Sequence, residues 1–200
     1  MIVVGNDPVI VAFAPLKTWK VEVGLYGRND NNSNQQLKQH TIMQKITPFL
    51  WFDNQAEEAL NFYASVFKNT RIGDVSYAGD ARPGAKNQVL TGSITIEGQE
   101  IMVMNAGPHF KFNEAISFFI NCQTQEEVDY FWEKLSSDGG EKSRCGWLKD
   151  KFGLSWQVVP DTLMKLMKDK DSAKAGLVMQ KMMTMDKLVI KDLQDAYDGK

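Results

Sequence analysis

This chain writes one short unit twice. Glu57-Glu58-Ala59-x-x-Phe62-Tyr63 returns as Glu126-Glu127-Val128-x-x-Phe131-Trp132, 69 positions later. Ile46-Thr47 returns as Ile116-Ser117 at an offset of 70, and Gly98-x-x-Ile101-Met102-Val103 returns as Gly153-x-x-Trp156-Gln157-Val158 at an offset of 55. Three blocks in one order are more than a chance likeness of two amphipathic helices. An internal repeat restricts the fold more tightly than any single propensity.

The apolar pattern gives each copy the order β-α-β-β-β. Ile46 to Asp53 reads as a buried strand. Gln55 to Phe67 reads as a helix, because Ala59, Phe62, Tyr63, Val66 and Phe67 share one face. Asp53 or Asn54 is its expected N-cap, with Glu57 and Glu58 in the first turn, where the helix dipole favours anions. Strands follow at 71–78, 89–96 and 101–105, with a hairpin connection at Glu97-Gly98-Gln99 and a loop from Asp80 to Asn87 containing Pro83 and Gly84. The second copy has a strand over 116–122 and a helix over 125–135, with Val128, Phe131, Trp132 and Leu135 on one face. Short strands are expected around 142–145, 147–149 and 155–159.

Both flanks differ from this core. Residues 1–42 form an N-terminal extension with possible strands at 9–14 and 21–26, then the polar run Arg28-Asn29-Asp30-Asn31-Asn32-Ser33-Asn34-Gln35-Gln36. Such a run buries too little apolar surface to offset its ordering entropy and reads as a linker. Residues 43–160 hold the duplicated domain, and 161–200 are helical in pattern. There Leu163, Leu166 and Met167 share one face, and Ala175, Val178, Met179, Met182 and Met183 another, while Leu188, Leu193 and Tyr197 suggest a last short helix. The methionines read as core or interface packing rather than a promiscuous groove.

Composition excludes several classes of partner. With 43% hydrophobic and 24% charged residues and a net charge of −2, the chain lacks the basic field that nucleic acid or an anionic membrane requires. No apolar run approaches the roughly 20 residues of a membrane span, and Asn6, Asp7 and Pro8 interrupt the N-terminal apolar stretch, so no secretory signal is expected. Cys122 and Cys145 fit neither a zinc knuckle nor a redox pair, and free thiols in a reducing cytoplasm are the simpler reading.

The blocks ITPFLWFDNQAEEALNFYASVF and CGWLKDKFGLSWQVVP resemble the PhnB-like branch of the vicinal-oxygen-chelate superfamily, which includes glyoxalase I, bleomycin- and fosfomycin-resistance proteins and extradiol dioxygenases. The resemblance runs from residue 43 to about 198 and leaves out 1–42. It implies an α+β fold of two βαβββ units forming a cupped mixed sheet, with C-terminal helices, and it implies a homodimer. Some members of the branch are labelled 3-demethylubiquinone methyltransferase-like, yet no Gly-rich strand-to-helix turn is present to seat an adenosyl cofactor. Catalytic members hold a divalent metal through the first and fourth strands of each unit, with His or Gln and Glu as ligands. The resemblance places Thr47, Met102, Ser117 and Gln157 at those positions, two hydroxyls, a thioether and an amide, with neither carboxylate nor imidazole. His40 falls in the linker and His109 in a loop, and Asp53, Asp74 and Asp80 sit at element ends or in loops. No metal and no cofactor are expected.

Without a metal, the cup would be lined by alternate residues of these strands: Thr47, Phe49, Trp51, Met102, Met104, Ser117, Phe119, Trp147 and Gln157. Aromatic, thioether and neutral polar side chains suit a flat or hydrophobic small molecule. The same pattern also fits side chains that merely fill the sheet interior. No nucleophile–base pair stands out around Thr47, Ser117 or Cys122, and Lys149-Asp150-Lys151-Phe152-Gly153 reads as a charged turn. The reading is a cytoplasmic, metal-free binding protein for a small hydrophobic ligand. A glyoxalase- or dioxygenase-like enzyme and a dimeric interaction module are the alternatives.

Overall fold

The computed structural model describes residues 2–4, 7–9, 45–79 and 86–200. At the N-terminus, β1 (Ile2–Val4) and β2 (Asp7–Val9) form an antiparallel hairpin. The expected polar linker, the strand at 21–26, His40 and the Pro83-Gly84 loop lie outside the described residues, as does all of 9–14 except Val9.

The first unit runs β3 (Phe49–Phe52), α1 (Ala56–Val66), β4 (Thr70–Tyr77), β5 (Val89–Ile96) and β6 (Gln99–Asn105). Its sheet order is β3-β6-β5-β4, with β3 parallel to β6 and the remaining pairs antiparallel. The second runs β7 (Ser117–Cys122), α2 (Gln125–Leu135), β8 (Glu141–Lys142), β9 (Trp147–Lys149) and β10 (Ser155–Pro160), in the order β7-β10-β9-β8 and with the same parallel and antiparallel pattern. The repeat therefore extends to register. Phe49 faces Met102 and Phe119 faces Gln157, so the offsets of 70 and 55 read from the sequence map one ladder onto the other.

The ladder starts later than the apolar pattern predicts. Pro48 has no N–H to donate, so β3 opens at Phe49, and its carbonyl accepts the Met102 N–H at 2.9 Å. Ile46 is thus exposed and Thr47 lies just outside the strand, whereas its counterpart Ser117 is inside β7. Between β5 and β6, Glu97 and Gly98 both take positive φ, 48° and 84°, the type I′ conformation that matches the twist of a hairpin.

The two helices start by different devices. In α2, Thr124 Oγ1 accepts the Glu127 N–H, and the Glu127 carboxylate reaches back past the cap to accept the Gln123 N–H, a variant of the capping box. In α1 neither Asp53 nor Asn54 caps. Gln55 stands at the cap without a side-chain bond, and the orphan Ala56 N–H is met at 2.8 Å by Asn105 Oδ1 at the end of β6. Asn105 also donates to the Val89 carbonyl at 2.9 Å, so one buried amide ties three elements together.

One core serves both units. Leu50, Phe52, Ile94 and Val103 meet Ala59, Leu60 and Tyr63 of α1, and the same cluster continues into Val128, Trp132, Leu148, Trp156 and Val158. A second, smaller core lies under the C-terminal helices α3 (Asp161–Met167), α4 (Ser172–Met182) and α5 (Ile190–Tyr197), where Val159, Leu163, Val178, Met185, Leu188 and Leu193 pack. Met182 packs against this core, but Met179 and Met183 are exposed, so the methionine face is only partly interior.

Gly140 marks the tightest backbone approach. A Cβ there would stand 2.7 Å from Ser136 Cα and 2.8 and 2.9 Å from the Lys149 and Leu135 carbonyl oxygens, none of which can swing aside. Gly140→Ala is expected to cost about 1–3 kcal/mol through overpacking, read as a lowered urea midpoint with an unchanged m-value.

Candidate functional site

In each sheet the helix covers one face, and the other is exposed at Phe49 and Phe119 but buried at Ser93, Met104 and Ser155. Gly92 lets Leu60 of α1 approach, since a Cβ there would come within 2.9 Å of Leu60 Cδ1. Gly92 pairs with Val103 and Val103 with Leu50, which fixes these residues on the helix side. The other face carries two rows: Phe49, Met102 and Ser93, then Trp51, Met104 and Thr91. In the second sheet, Trp156 and Leu148 belong to the helix side, and the open face carries Phe119, Gln157 and Trp147 in one row and Ser117, Ser155 and Lys149 in the next.

Every strand residue proposed from the sequence thus falls on the face away from its helix. Within each sheet they are brought together. Trp51 is fixed by donating from Nε1 to the Gly107 carbonyl at 2.8 Å and by edge contact with Phe110, centroids 4.9 Å apart. Met104 is buried beneath them. Gln157 Nε2 donates to Ser117 Oγ at 2.8 Å, which fixes the amide across β10 and β7. Phe49 and Phe119 are 39% and 50% exposed, far too open for core positions. The two sheets share a core through their helix sides, so the two open faces are turned away from that core and belong to separate surfaces of one chain.

Sequence reasoning missed Ser93 and Thr91, which follow from the alternation of β5, and Ser155, a buried residue whose hydroxyl has no hydrogen-bond partner among the described residues. It also misread Asp150. That residue is buried and accepts four hydrogen bonds: from Tyr63 Oη at 2.8 Å, Trp156 Nε1 at 2.9 Å, and the N–H groups of Phe152 and Leu154 at 2.9 and 3.0 Å. The turn it folds thrusts Phe152 between Phe52, Phe62 and Tyr63 of the first unit, at centroid distances of 5.7, 5.7 and 6.0 Å. Its lysines are already matched, Lys149 to Glu114 at 2.5 Å and Lys151 to Glu58 at 2.6 Å. What looked like a charged turn is the joint between the two halves.

Reactive groups are few. Burial, reinforced by Glu127, pushes the free Cys122 thiol up to about 12, so it stays protonated and a poor nucleophile. Burial next to Asp150 likewise raises the Tyr63 hydroxyl well above its ordinary value and keeps it a donor. Among the described residues no three His, Cys, Asp or Glu side chains cluster as a metal site would require, and no helix is long and apolar enough to cross a membrane.

Comparison with known proteins places this architecture. The sequence model of the family described as 3-demethylubiquinone-9 3-methyltransferase matches residues 44–159. A PhnB protein from Bacillus cereus is 36% identical, with a TM-score of 0.55 over 58% of this chain and 99% of that one. A Pseudomonas aeruginosa protein, 19% identical, shares the fold with a TM-score of 0.50 over 59% of this chain and 98% of its own. No curated protein matches the chain.

The joint gives a testable pH dependence. Burial outweighs the four donors and holds the Asp150 carboxyl above its ordinary range. The folded state then binds the proton more tightly than the unfolded chain, so this group's contribution is complete below the unfolded pKa of about 3.9 and is lost as pH rises through the folded value. Asp150→Asn removes that slope and turns an amide N–H₂ towards existing donors, at a cost of about 2–3 kcal/mol. Urea unfolding of both proteins across the acid range should show the widest stability gap at the acid end, narrowing towards neutral pH.

Proposed function

Because the chain belongs to the 3-demethylubiquinone-9 3-methyltransferase family, the PhnB-like branch of the vicinal-oxygen-chelate fold, we propose that it binds a flat hydrophobic small molecule without a metal, as a cytoplasmic homodimer. One observation carries this reading. The equivalent rows Phe49–Met102–Ser93 and Phe119–Gln157–Trp147 place aromatic, thioether and neutral polar groups on the sheet faces away from the helices, with Phe49 and Phe119 exposed. Aromatic rings supply contact area, while Gln157, held by Ser117, orients a polar edge of the ligand.

The donor set does not fit the divalent metal of catalytic relatives. Thr47, Met102, Ser117 and Gln157 provide no anionic or imidazole donor to neutralise such an ion, and the Ser117 hydroxyl and Gln157 amide are engaged with each other. Methyl transfer is also unsupported. The strand-to-helix turns within the two units are Asp53-Asn54-Gln55 and Gln123-Thr124, without the glycines that let a backbone approach an adenosyl cofactor.

The same exposed surfaces support the dimer. A face holding Phe49 on one sheet and a face holding Phe119 on the other cannot line one cavity while their helix sides share a core. A first-unit face from one chain closing on a second-unit face from its partner would make a cup and cover both phenylalanines.

Native mass spectrometry should show a dimer, and metal analysis should find well under one transition metal per chain. Planar aromatic probes should raise the melting temperature by several degrees at saturation, and Gln157→Trp or Phe119→Ala should abolish the rise in protein whose circular dichroism shows the fold retained. A stoichiometric metal, or ligand shifts indifferent to both substitutions, would overturn the reading.

A further inference from the structure

A groove of about 760 Å³ runs along the helix side of the second sheet, bounded by β7, α2 and the turn between β5 and β6. It meets the proposed cup at one residue, Phe119. Its volume lies in the range of about 300–1,000 Å³ that small-molecule sites occupy. We propose that it binds a small amphiphilic cation, a protonated or quaternary amine with a hydrophobic tail, independently of whether the cup is used.

The floor is a connected set of aromatic rings. Phe67 stacks on Phe131 at 5.3 Å and meets Trp156 at 5.5 Å, and Phe118 meets Trp156 at 5.3 Å. Tyr130 stands at the side with its hydroxyl fixed on the Val66 carbonyl at 2.8 Å, so its ring is held in place rather than free to fill the space. Because β7 is the edge of its sheet, no further strand among the described residues covers the flank of the groove. Ile120 adds an aliphatic patch between the rings.

The rim sets the sign of the ligand. Among the described residues Glu97, Glu126 and Glu127 line it against a single basic side chain, Lys68. Glu97 is held in place by Asn69 Nδ2 at 2.8 Å, and Glu127 by the Gln123 N–H at 2.7 Å, so two of these carboxylates are positioned as well as charged. Hydrogen bonds from its backbone and Thr124 hold the Glu126 carboxyl below its ordinary range, which keeps it anionic into mild acid. Anions are repelled from such a mouth. A cation is attracted by the carboxylates, and the aromatic side chains that line the groove favour it again.

The test compares 3-phenylpropyl-trimethylammonium with uncharged 3-phenylpropanol on the full chain, followed by amide NMR shifts. The cation should perturb residues 118–123 and 126–131 and bind at least about threefold more tightly than the alcohol, an advantage that added salt erodes. The double variant Glu97→Gln/Glu126→Gln should erase the difference while leaving alcohol binding unchanged. Ile120→Arg, which puts a guanidinium on the floor, should exclude the cation; if it impairs folding, the double variant decides. Equal binding of the two probes, shifts confined to the cup around Met102 and Gln157, or a dimer whose second copy fills the groove would each overturn the proposal.

Discussion

A buried carboxylate between two halves of a duplicated chain organises this molecule. Asp150 sits in the second unit, but the ring that reaches it from α1, Tyr63, belongs to the first. Each donor satisfies one lone pair of a group that would otherwise be costly to bury. The same turn places Phe152 among first-unit aromatics and lets Lys151 span Glu58 and the Phe62 ring. Were this joint replaced by apolar contacts alone, the halves would still cohere, but little would fix their relative orientation. Directional bonds supply the orientation, and the orientation decides which sheet faces remain open.

Duplication gives the two halves one ladder and one set of side-chain positions without giving them one chemistry. At the same register position the first half has Met102 and the second Gln157. The first half keeps a β4 of eight residues, whereas the corresponding β8 has two. A surface assembled from both would be apolar on one side and able to hydrogen-bond on the other. That is a useful asymmetry for orienting a planar guest, since an equal pair of walls would admit it either way round.

The parts of this structure that are periodic could be read from the sequence. Alternation in β5 and β6, the 3.6-residue stripe of α1 and α2, and the spacing between copies all repeat often enough to identify themselves, and the face that each strand turns away from its helix followed from the same count. What did not follow were contacts made once, over long distances. Asn105 caps α1 from the end of β6, 49 residues away, and no local rule would choose it over Asp53 or Asn54. Asp150 lies between two lysines and looks solvated until the fold brings Tyr63 and Trp156 to it. Met179 and Met183 keep helical spacing with Val178 nearby, yet only Val178 turns inward, because the α4 contact with α3 and α5 is narrower than its apolar stripe.

Tyr63 and Asp150 are 87 positions apart. On a ribosome the first unit therefore emerges with its helix and sheet complete while the hydroxyl and the Phe152 cleft between Phe52 and Phe62 still await their partners. Such a nascent half carries a bare apolar notch rimmed by an unmatched donor, the kind of surface that chaperones hold and that neighbouring chains on a polysome can fill by mistake. That notch stays open until residues 106–156 have been made and folded onto it.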